Sequence, residues 1–257
     1  MLPLTTGRKS SQLASRQSFL NQLLIRKYHR WLGLVATIQL FIWTCSGLFF
    51  ALIPIDDIRG SPLVEQPATY RLGHVKLVSP SSLVGQYKEL STVRVDQIQI
   101  RQRLNTPVYI TQIEDAWLVF NAETAEQLAP LTETEAKAIA SNNTSLPIRS
   151  AALVATVARG SEYRKGELPA WKIELEGSDH ASLWIGANTG QLTAIRTTKW
   201  RIYDFLWSLH IMDYLDRDNF NSWLLRAFAL LGVITVLSGI ILFILSARWR
   251  KKLSSTR

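Results

Sequence analysis

Residues 32–53 read LGLVATIQLFIWTCSGLFFALI, a run of 22 residues without an ionisable side chain. Residues 227–246, AFALLGVITVLSGIILFILS, form a second uncharged run of 20 residues. At about 1.5 Å per residue, a helix of either length reaches across the roughly 30 Å hydrocarbon core of a bilayer. A core helix of a soluble protein rarely stays uncharged for so long. The two runs therefore predict a protein that crosses a lipid bilayer twice, with helices at 32–53 and 223–247.

Basic residues are concentrated outside these two segments. Residues 1–31 contain six Lys and Arg, residues 248–257 contain five, and neither tail has an acidic residue. All 20 Asp and Glu lie between the predicted spans. Because Lys and Arg close to a span stay on the cytoplasmic side, both basic tails are expected in the cytoplasm. Residues 54–199 are then expected on the other side, in the periplasm if the bilayer is a bacterial inner membrane. The net charge of +9 thus reflects topology, and we expect no nucleic-acid partner.

The first span differs from a cleaved signal peptide. A signal peptide has an apolar region of about 7–15 residues and a small-residue cleavage site. Here the apolar run is longer and ends in Pro54-Ile55-Asp56-Asp57, which is typical of a retained anchor. The single cysteine, Cys45, lies inside this span. The segment between the spans is therefore expected to fold without a disulfide.

Between the spans the pattern changes to short elements. Alternating apolar residues predict two sets of antiparallel strands. These strands are expected at 93–103, 108–113 and 117–121, and at 171–176, 182–185 and 192–196. Thr132 and Glu135 form a capping box ahead of a helix. A further helix is predicted at 151–159, ending before Gly160.

The two strand sets show a related pattern. Pro107 precedes a turn containing Thr124, as Pro169 precedes a turn containing Thr189, with offsets of 62 and 65 residues. Such a recurrence suggests an internal duplication, although any two hairpins share some of these features. The predicted fold is α+β, with two transmembrane helices flanking an extracytoplasmic domain of antiparallel hairpins and helices.

Two of the four histidines adjoin predicted spans. His29 precedes the first span and His210 precedes the second, whereas His74 and His180 lie in the domain between them. Imidazole is the usual axial ligand of membrane haem, because it binds iron without adding a charge in lipid. His210 belongs to a segment, 200–222, predicted to be amphipathic and interfacial. On a helix it would share one face with three aromatic residues, Tyr203, Trp207 and Tyr214. A membrane-surface belt would show the same aromatic pattern.

About 30 Å of hydrocarbon would separate His29 from His210, so the two cannot bind the same iron. A haem with two histidine ligands would then need a second copy of the chain or another subunit, and a two-fold homodimer is the simplest arrangement. Small residues that let helices approach closely recur at spacings of 3 and 4. This stripe consists of Gly33, Thr37, Leu40, Thr44 and Gly47 in the first span, with Gly232 and Gly239 in the second. It would equally suit packing of the two spans of one chain.

Acidic residues cluster next to both spans on the predicted periplasmic side. They are Asp56 and Asp57 after the first span, and Asp213, Asp216 and Asp218 before the second. Hard cations, of which ferric iron is one, prefer carboxylate and water oxygens, so these side chains are candidates for docking such an ion. Interfacial loops are also rich in Asp for structural reasons, and Asn221 or Ser222 is expected to cap the second span.

Several motifs together resemble the PepSY-associated transmembrane family. They are Tyr28-His-Arg-Trp-Leu-Gly33, Trp43-Thr-Cys-Ser-Gly47, the Ala-x-Thr-Gly hairpin at 187–190, Leu209-His210 and Leu237-Ser-Gly239. The resemblance covers about residues 26–250 and implies a PepSY-like domain between the spans. The two-span layout looks like the VciB-type inner-membrane proteins, which are linked to iron reduction beside ferrous iron uptake. Longer relatives with more spans are linked to haem b.

The resemblance implies a protein that promotes reduction of ferric iron on the periplasmic side, by electron transfer through haem b held by His29 and His210. The sequence has no dinucleotide, flavin, Walker or C-x-x-C motif, so electrons would come from quinol or a cytoplasmic reductase. A ferrous iron transporter would be the partner. The alternative is a non-catalytic, membrane-anchored PepSY module that binds a protein or peptide.

Overall fold

The structure is a computed structural model that describes residues 6–65, 73, 75–177 and 179–254. The chain divides into two compact units. The first, called the helical unit, ends at Phe49 and resumes at Trp207. The second, called the mixed unit, runs from Phe50 to Leu206. Helices and antiparallel sheets together make the protein α+β, as predicted.

Two long helices dominate the helical unit. Helix α1 spans Thr6–Leu52 and helix α6 spans Trp223–Ser254. Their segments Leu23–Leu52 and Trp223–Ser246 are long and apolar enough to cross a membrane. Both helices continue into the predicted tails, because no proline or glycine interrupts the sequence between Gly7 and Gly33 or after Gly239. The tail residues 1–5 and 255–257 lie outside the described residues.

The segment before α6 is half helical. Helix α5 spans Thr198–Ile211, so the predicted interfacial segment 200–222 consists of most of this helix and a loop. Met212 has a φ of 53°, which ends the helix in the left-handed conformation. Ser222 then caps α6, since its hydroxyl accepts a hydrogen bond from the N–H of Leu225 at 3.2 Å. The sequence-based expectation of a cap at Asn221 or Ser222 is confirmed for Ser222.

The mixed unit begins with two short helices and a three-stranded antiparallel sheet. Helices α2 and α3 are Ile55–Arg59 and Pro80–Gln86. Strands β1, β2 and β3 are Gln99–Arg103, Thr106–Ile113 and Ala116–Asn121, paired in that order. The first strand starts later than predicted because residues 88–92 and 95–97 form 3₁₀ turns. Tyr109 and Phe120 bury their rings against α3 and the 3₁₀ turns.

A four-stranded antiparallel sheet carries the larger core. Its strands β4 to β7 are Ile148–Val154, Ala170–Leu175, Ser182–Gly186 and Leu192–Arg196, in chain order. Helix α4, Glu133–Asn143, begins at the predicted capping box, where the N–H of Glu135 donates to the Thr132 hydroxyl. Its apolar face packs on Ile173, Leu183 and Ile185 of the sheet. Burial of this face fixes α4 on the sheet.

The predicted helix at 151–159 is wrong. Residues 151–154 belong to the edge strand β4, where Ala151 pairs with Ile173 and Val154 pairs with Ala170. Alanine and leucine favour a helix locally, but only by fractions of a kcal/mol per residue relative to other residues. Pairing along β5 and burial of the Ile148 side of the strand against the core outweigh that preference.

The two hairpins related in sequence, β2–β3 and β5–β6, end in matching turns. In each, an alanine N–H donates to the carbonyl of the proline near the start of the partner strand. In each, a threonine hydroxyl also accepts from the N–H two residues later. These bonds are Ala122 to Pro107 (2.9 Å) and Glu126 to Thr124 (3.3 Å), then Ala187 to Pro169 (3.0 Å) and Gln191 to Thr189 (3.2 Å).

Candidate functional site

His29 is held by a serine of the other long helix. Its Nδ1 atom lies 2.6 Å from the Ser238 hydroxyl oxygen on α6. The same hydroxyl donates to the main-chain carbonyl of Thr235 at 2.8 Å. A Cβ atom at the next residue, Gly239, would lie 3.3 Å from Cε1 of His29. The glycine thus gives the imidazole room beside α6.

His210 is held in the same way from α1. Its Nδ1 atom lies 2.8 Å from the hydroxyl oxygen of Ser46, which is fully buried. The Ser46 hydroxyl also donates to the carbonyl of Ile42 at 2.9 Å. The indole N–H of Trp43 donates to the main-chain carbonyl of His210 at 2.8 Å. Two side chains of α1 therefore fix the last turn of α5, where His210 lies.

Aromatic rings surround His210. The Trp43 ring centre lies 6.0 Å from the imidazole centre, and the Trp207 ring lies nearly parallel to it at 6.5 Å. Phe220 meets Trp207 edge-on at 5.4 Å. The predicted aromatic face is correct for Tyr203 and Trp207 but wrong for Tyr214, because α5 ends at Ile211. The aromatic face of α5 is shorter than the spacing of the aromatic residues predicted, because the chain leaves the helix at Met212.

The two histidines mark two separate levels of the helical unit. His29 and Ser46 are 17 residues apart on one continuous helix, which corresponds to about 25 Å. Since His210 contacts Ser46, one metal ion cannot bind both imidazoles. Each chain therefore offers His29 at one level of the helical unit and His210 at the other.

Each of the two His–Ser pairs includes one residue on the less exposed face of α1, namely His29 or Ser46. Its buried and half-buried residues recur at spacings of 4 and 3. They are Ile25, His29, Leu32, Ala36, Gln39, Trp43 and Ser46. We call this set the α1 seam.

The small-residue stripe predicted for dimerisation lies beside the α1 seam. Thr37, Leu40 and Thr44 are exposed within the single chain. A Cβ atom added at Gly33 or Gly47 would have nothing within 4 Å among the residues that the structure describes. Within the described residues, the stripe of α1 therefore has exposed side chains at Thr37, Leu40 and Thr44 and half-buried glycines at Gly33 and Gly47. Its role in dimerisation or in packing within one chain stays a prediction. Gly239 of α6, in contrast, faces His29.

The predicted acidic site includes Asp213, whose carboxylate is hydrogen-bonded to the backbone of its own loop. The Asp213 carboxylate accepts hydrogen bonds from the N–H groups of Asp216 (3.3 Å), Asp218 (3.0 Å) and Asn219 (2.9 Å). Burial acts to raise the pKa of Asp213, but these three bonds together outweigh burial and hold the pKa below its ordinary value. The Asp213 carboxylate therefore stabilises the loop that follows it.

Of the other predicted iron ligands, Asp216 and Asp218 lie in the same loop as Asp213. Asp56 and Asp57 belong to the mixed unit, where Asp57 lies 3.4 Å from the Lys199 ammonium. In the described part of the chain, no group of three or more His, Cys, Asp and Glu side chains lies close enough together to hold a metal ion. Docking of ferric iron by these carboxylates stays a prediction.

The remaining histidines, His74 and His180, belong to the stretch of chain between α1 and α5. His180 lies in the mixed unit with a φ of 46°, and its carbonyl accepts from Arg201 at 2.9 Å. His74 lies outside the described residues.

The Ala-x-Thr-Gly hairpin at 187–190 has a structural role that the sequence did not reveal. The buried Glu167 carboxylate accepts from the N–H groups of Asn188 (2.7 Å) and Thr189 (3.2 Å) and from the Thr189 hydroxyl (2.5 Å). Arg103 of β1 donates to the Asn188 carbonyl at 3.2 Å. Burial lowers the pKa of Arg103, while Glu135 and Glu167 oppose that shift. The turn thus joins the two sheets.

Sequence reasoning also missed the roles of Ser46 and Ser238. Both were part of quoted motifs, but a serine in a span is usually satisfied by its own helix. A signal did exist, because the dipeptide Ser-Gly occurs only twice in the 257 residues, at 46–47 and 238–239.

Comparison of the chain with models of protein families, with curated proteins and with solved structures gave no match.

Proposed function

We propose that the protein is a two-span membrane protein that carries electrons through haem b and reduces ferric iron on the periplasmic side. The observation that carries the proposal is the pair of His–Ser contacts, His29 with Ser238 and His210 with Ser46. A histidine that ligates a metal almost always hydrogen-bonds through its other ring nitrogen. Both His29 and His210 have that arrangement, and their serine partners lie on the two helices whose composition suits a bilayer.

The donor set fits haem. Imidazole is a neutral ligand, and the α1 seam and Trp207 give His210 apolar and aromatic surroundings. Haem b, when bound, would supply one-electron chemistry. His29 and His210 would hold it at two levels about 25 Å apart along α1. Ferric iron would be the substrate, quinol or a cytoplasmic reductase the electron donor, and a ferrous iron transporter the partner that takes up the product.

The direct test is the absorbance of the purified full-length protein, oxidised and then reduced with dithionite. A Soret band that shifts on reduction, with ferric iron reduced in parallel, is expected. The second candidate function, a non-catalytic PepSY module that binds a protein or peptide, predicts no haem band. A cavity of about 300 Å³ in the mixed unit, lined by residues that include Gln102, Asn142 and Gln191, favours that candidate.

The mixed unit is proposed to be a duplicated PepSY-like domain. The matching turns after β3 and β6, including the alanine-to-proline bonds of 2.9 and 3.0 Å, support an internal repeat. The capped helix α4 and the antiparallel hairpins suit such a domain. In the proposed topology this domain is periplasmic and both basic tails are cytoplasmic, in a bacterial inner membrane.

Reporter fusions test this topology. A fusion after Arg257 should be active only with a cytoplasmic reporter, and a fusion at Gly160 only with a periplasmic one, because the tails carry 11 basic and no acidic residues. Activity of a periplasmic reporter after Arg257 would contradict the two-span topology.

A homodimer through the small-residue stripe of α1 is proposed, since Thr37, Leu40 and Thr44 are exposed among the described residues and two copies would bring like histidines together. With Cys45→Ser and Leu40→Cys, oxidation in membranes should cross-link two copies. Gly33→Leu and Gly47→Leu should reduce that yield severalfold, because bulky side chains keep the backbones apart. Val35→Leu, at an exposed position off the stripe, is the matched control. An unchanged yield in both glycine variants would argue against this interface.

A further inference from the structure

Ser182 of strand β6 has a buried hydroxyl without a partner. The residue is 1% exposed, and its hydroxyl oxygen makes no hydrogen bond to any residue that the structure describes. Ser182 also lines a cavity of about 130 Å³ in the mixed unit, which is larger than the space that one water molecule needs. Because a buried hydroxyl without a hydrogen bond is unfavourable, we expect a group bound in this cavity to supply one.

Strand pairing directs the Ser182 side chain toward charged residues. Ser182 lies directly opposite Glu174 of β5, so the two side chains stand on one face of the sheet. Lys172, two residues before Glu174, stands on the same face. Both residues line the cavity together with Ser182. The hydroxyl therefore shares the cavity with ionisable side chains.

Positive charge exceeds negative charge around this cavity. Arg149, Lys172 and Arg201 line it, together with Glu174. The Lys172 ammonium lies 3.2 Å from the Glu174 carboxylate, and its hydrogen bond is the main cause that lowers the pKa of Glu174. Glu162 accepts from Arg201 at 2.8 Å and lies 3.8 Å from the Lys172 ammonium. Three cations and two carboxylates leave a net charge of +1.

Arg149 is the cation without a carboxylate partner. It is exposed and forms no salt bridge in the described part of the chain, where Glu162 and Glu174 pair with Lys172 and Arg201. A guanidinium can only donate hydrogen bonds, and the Ser182 hydroxyl has a proton to donate. A carboxylate offers two acceptor oxygens, and its single charge balances the +1. A phosphate monoester, at about −1.5 to −2 near pH 7, would exceed that charge.

We infer that this cavity binds the carboxylate group of a small organic acid, which accepts hydrogen bonds from the Ser182 hydroxyl and the Arg149 guanidinium. Lys172 and Arg201 add positive charge beside the bound group, while Glu162 and Glu174 hold these two cations in place. All five charged residues belong to the mixed unit. The site goes beyond the proposed function, because it needs neither haem nor iron.

Saturation-transfer NMR of the full-length protein in detergent, prepared without haem, tests the site with acetate as the probe. The acetate methyl signal should show saturable binding. Acetamide, which has a similar shape and no charge, should bind at least about 10-fold more weakly, because hydrogen bonds to charged groups are stronger than neutral ones. At matched ionic strength, acetate should also raise the unfolding temperature above that in acetamide, since a ligand of the folded state stabilises it.

Two substitutions test the proposed donors. Ser182→Ala and Arg149→Gln should each weaken acetate binding about 10- to 100-fold, the effect of losing one hydrogen bond to a charged group. Thr111→Val is the matched control for the serine, because the Thr111 hydroxyl is also buried without a partner among the described residues but lies on β2 of the other sheet. Arg101→Gln, at an exposed arginine of β1, is the control for Arg149. Both controls should keep wild-type binding.

Several outcomes would overturn the inference. One is equal binding of acetate and acetamide by the wild-type protein, a result that depends on no variant. Another is wild-type acetate binding by Ser182→Ala. Tighter binding of inorganic phosphate than of acetate would show that the site is not selective for a carboxylate. No acetate signal at all would leave water as the partner of Ser182. Because the protein is prepared without haem, none of these outcomes bears on the proposed electron transfer.

Discussion

Replacement of His29 or His210 by alanine is expected to remove the Soret band contributed by that level and to bring ferric iron reduction down to the background rate. Each substitution deletes an iron ligand of the proposed haem and leaves the other level intact. Loss of the hydrogen bond between each imidazole and its serine should cost about 1 kcal/mol of folding stability. The amount of protein in the membrane should therefore persist. Absorbance spectra and a ferrous-iron chelator assay on the same preparations measure both losses.

The matched control is His180→Asn, which changes a histidine of the mixed unit without straining its positive φ. His74→Ala is a second control in the same predicted domain. Neither should alter the Soret band or iron reduction. Loss at only one of the two sites would indicate a single haem level. A wild-type protein without haem that still promotes ferrous iron uptake would refute the electron-transfer mechanism, and the mixed unit would then be the active part.

Asp204→Ala is expected to destabilise the mixed unit by about 3–5 kcal/mol, the cost of breaking a buried ion pair from one side. The Asp204 side chain is 5% exposed, and its oxygens accept from the Arg164 guanidinium at 2.6 and 3.2 Å. A second guanidinium, that of Arg196, lies 4.0 Å above the Trp200 ring. Removal of the carboxylate leaves two half-buried cations near one another with less compensating charge, and burial already lowers the pKa of Arg196.

Denaturant unfolding of the full-length protein in detergent, followed by near-ultraviolet circular dichroism, measures the effect. Asp96→Ala is the matched control, because Asp96 pairs with Arg94 where the two side chains are 64% and 76% exposed. An exposed pair of this kind contributes between 0 and about 1 kcal/mol. Equal unfolding midpoints for the Asp204 and Asp96 variants would show that the buried pair does not hold the mixed unit together.

The sequence alone determined the features that depend on neighbouring residues. The two apolar helices follow from uncharged runs, since composition over 20 residues decides whether a helix suits a bilayer. The capping box of α4 follows from Thr132 and Glu135, three residues apart, and its bonds close within one turn. The hairpins at Thr124 and Thr189 likewise depend on short-range turn chemistry.

Only the tertiary structure decided the features that depend on distant partners. Residues 151–154 favour a helix locally, but pairing with β5 makes them a strand, and that pairing is not encoded within the segment. Ser46 and Ser238 look like ordinary span serines until α1 is placed beside α5 and α6. The hydrogen bonds that orient His210 and His29 join residues 164 and 209 positions apart, so no local pattern specifies them. The orientation of each imidazole depends on the serine hydroxyl opposite its Nδ1 atom, and only the packed helices place that hydroxyl there.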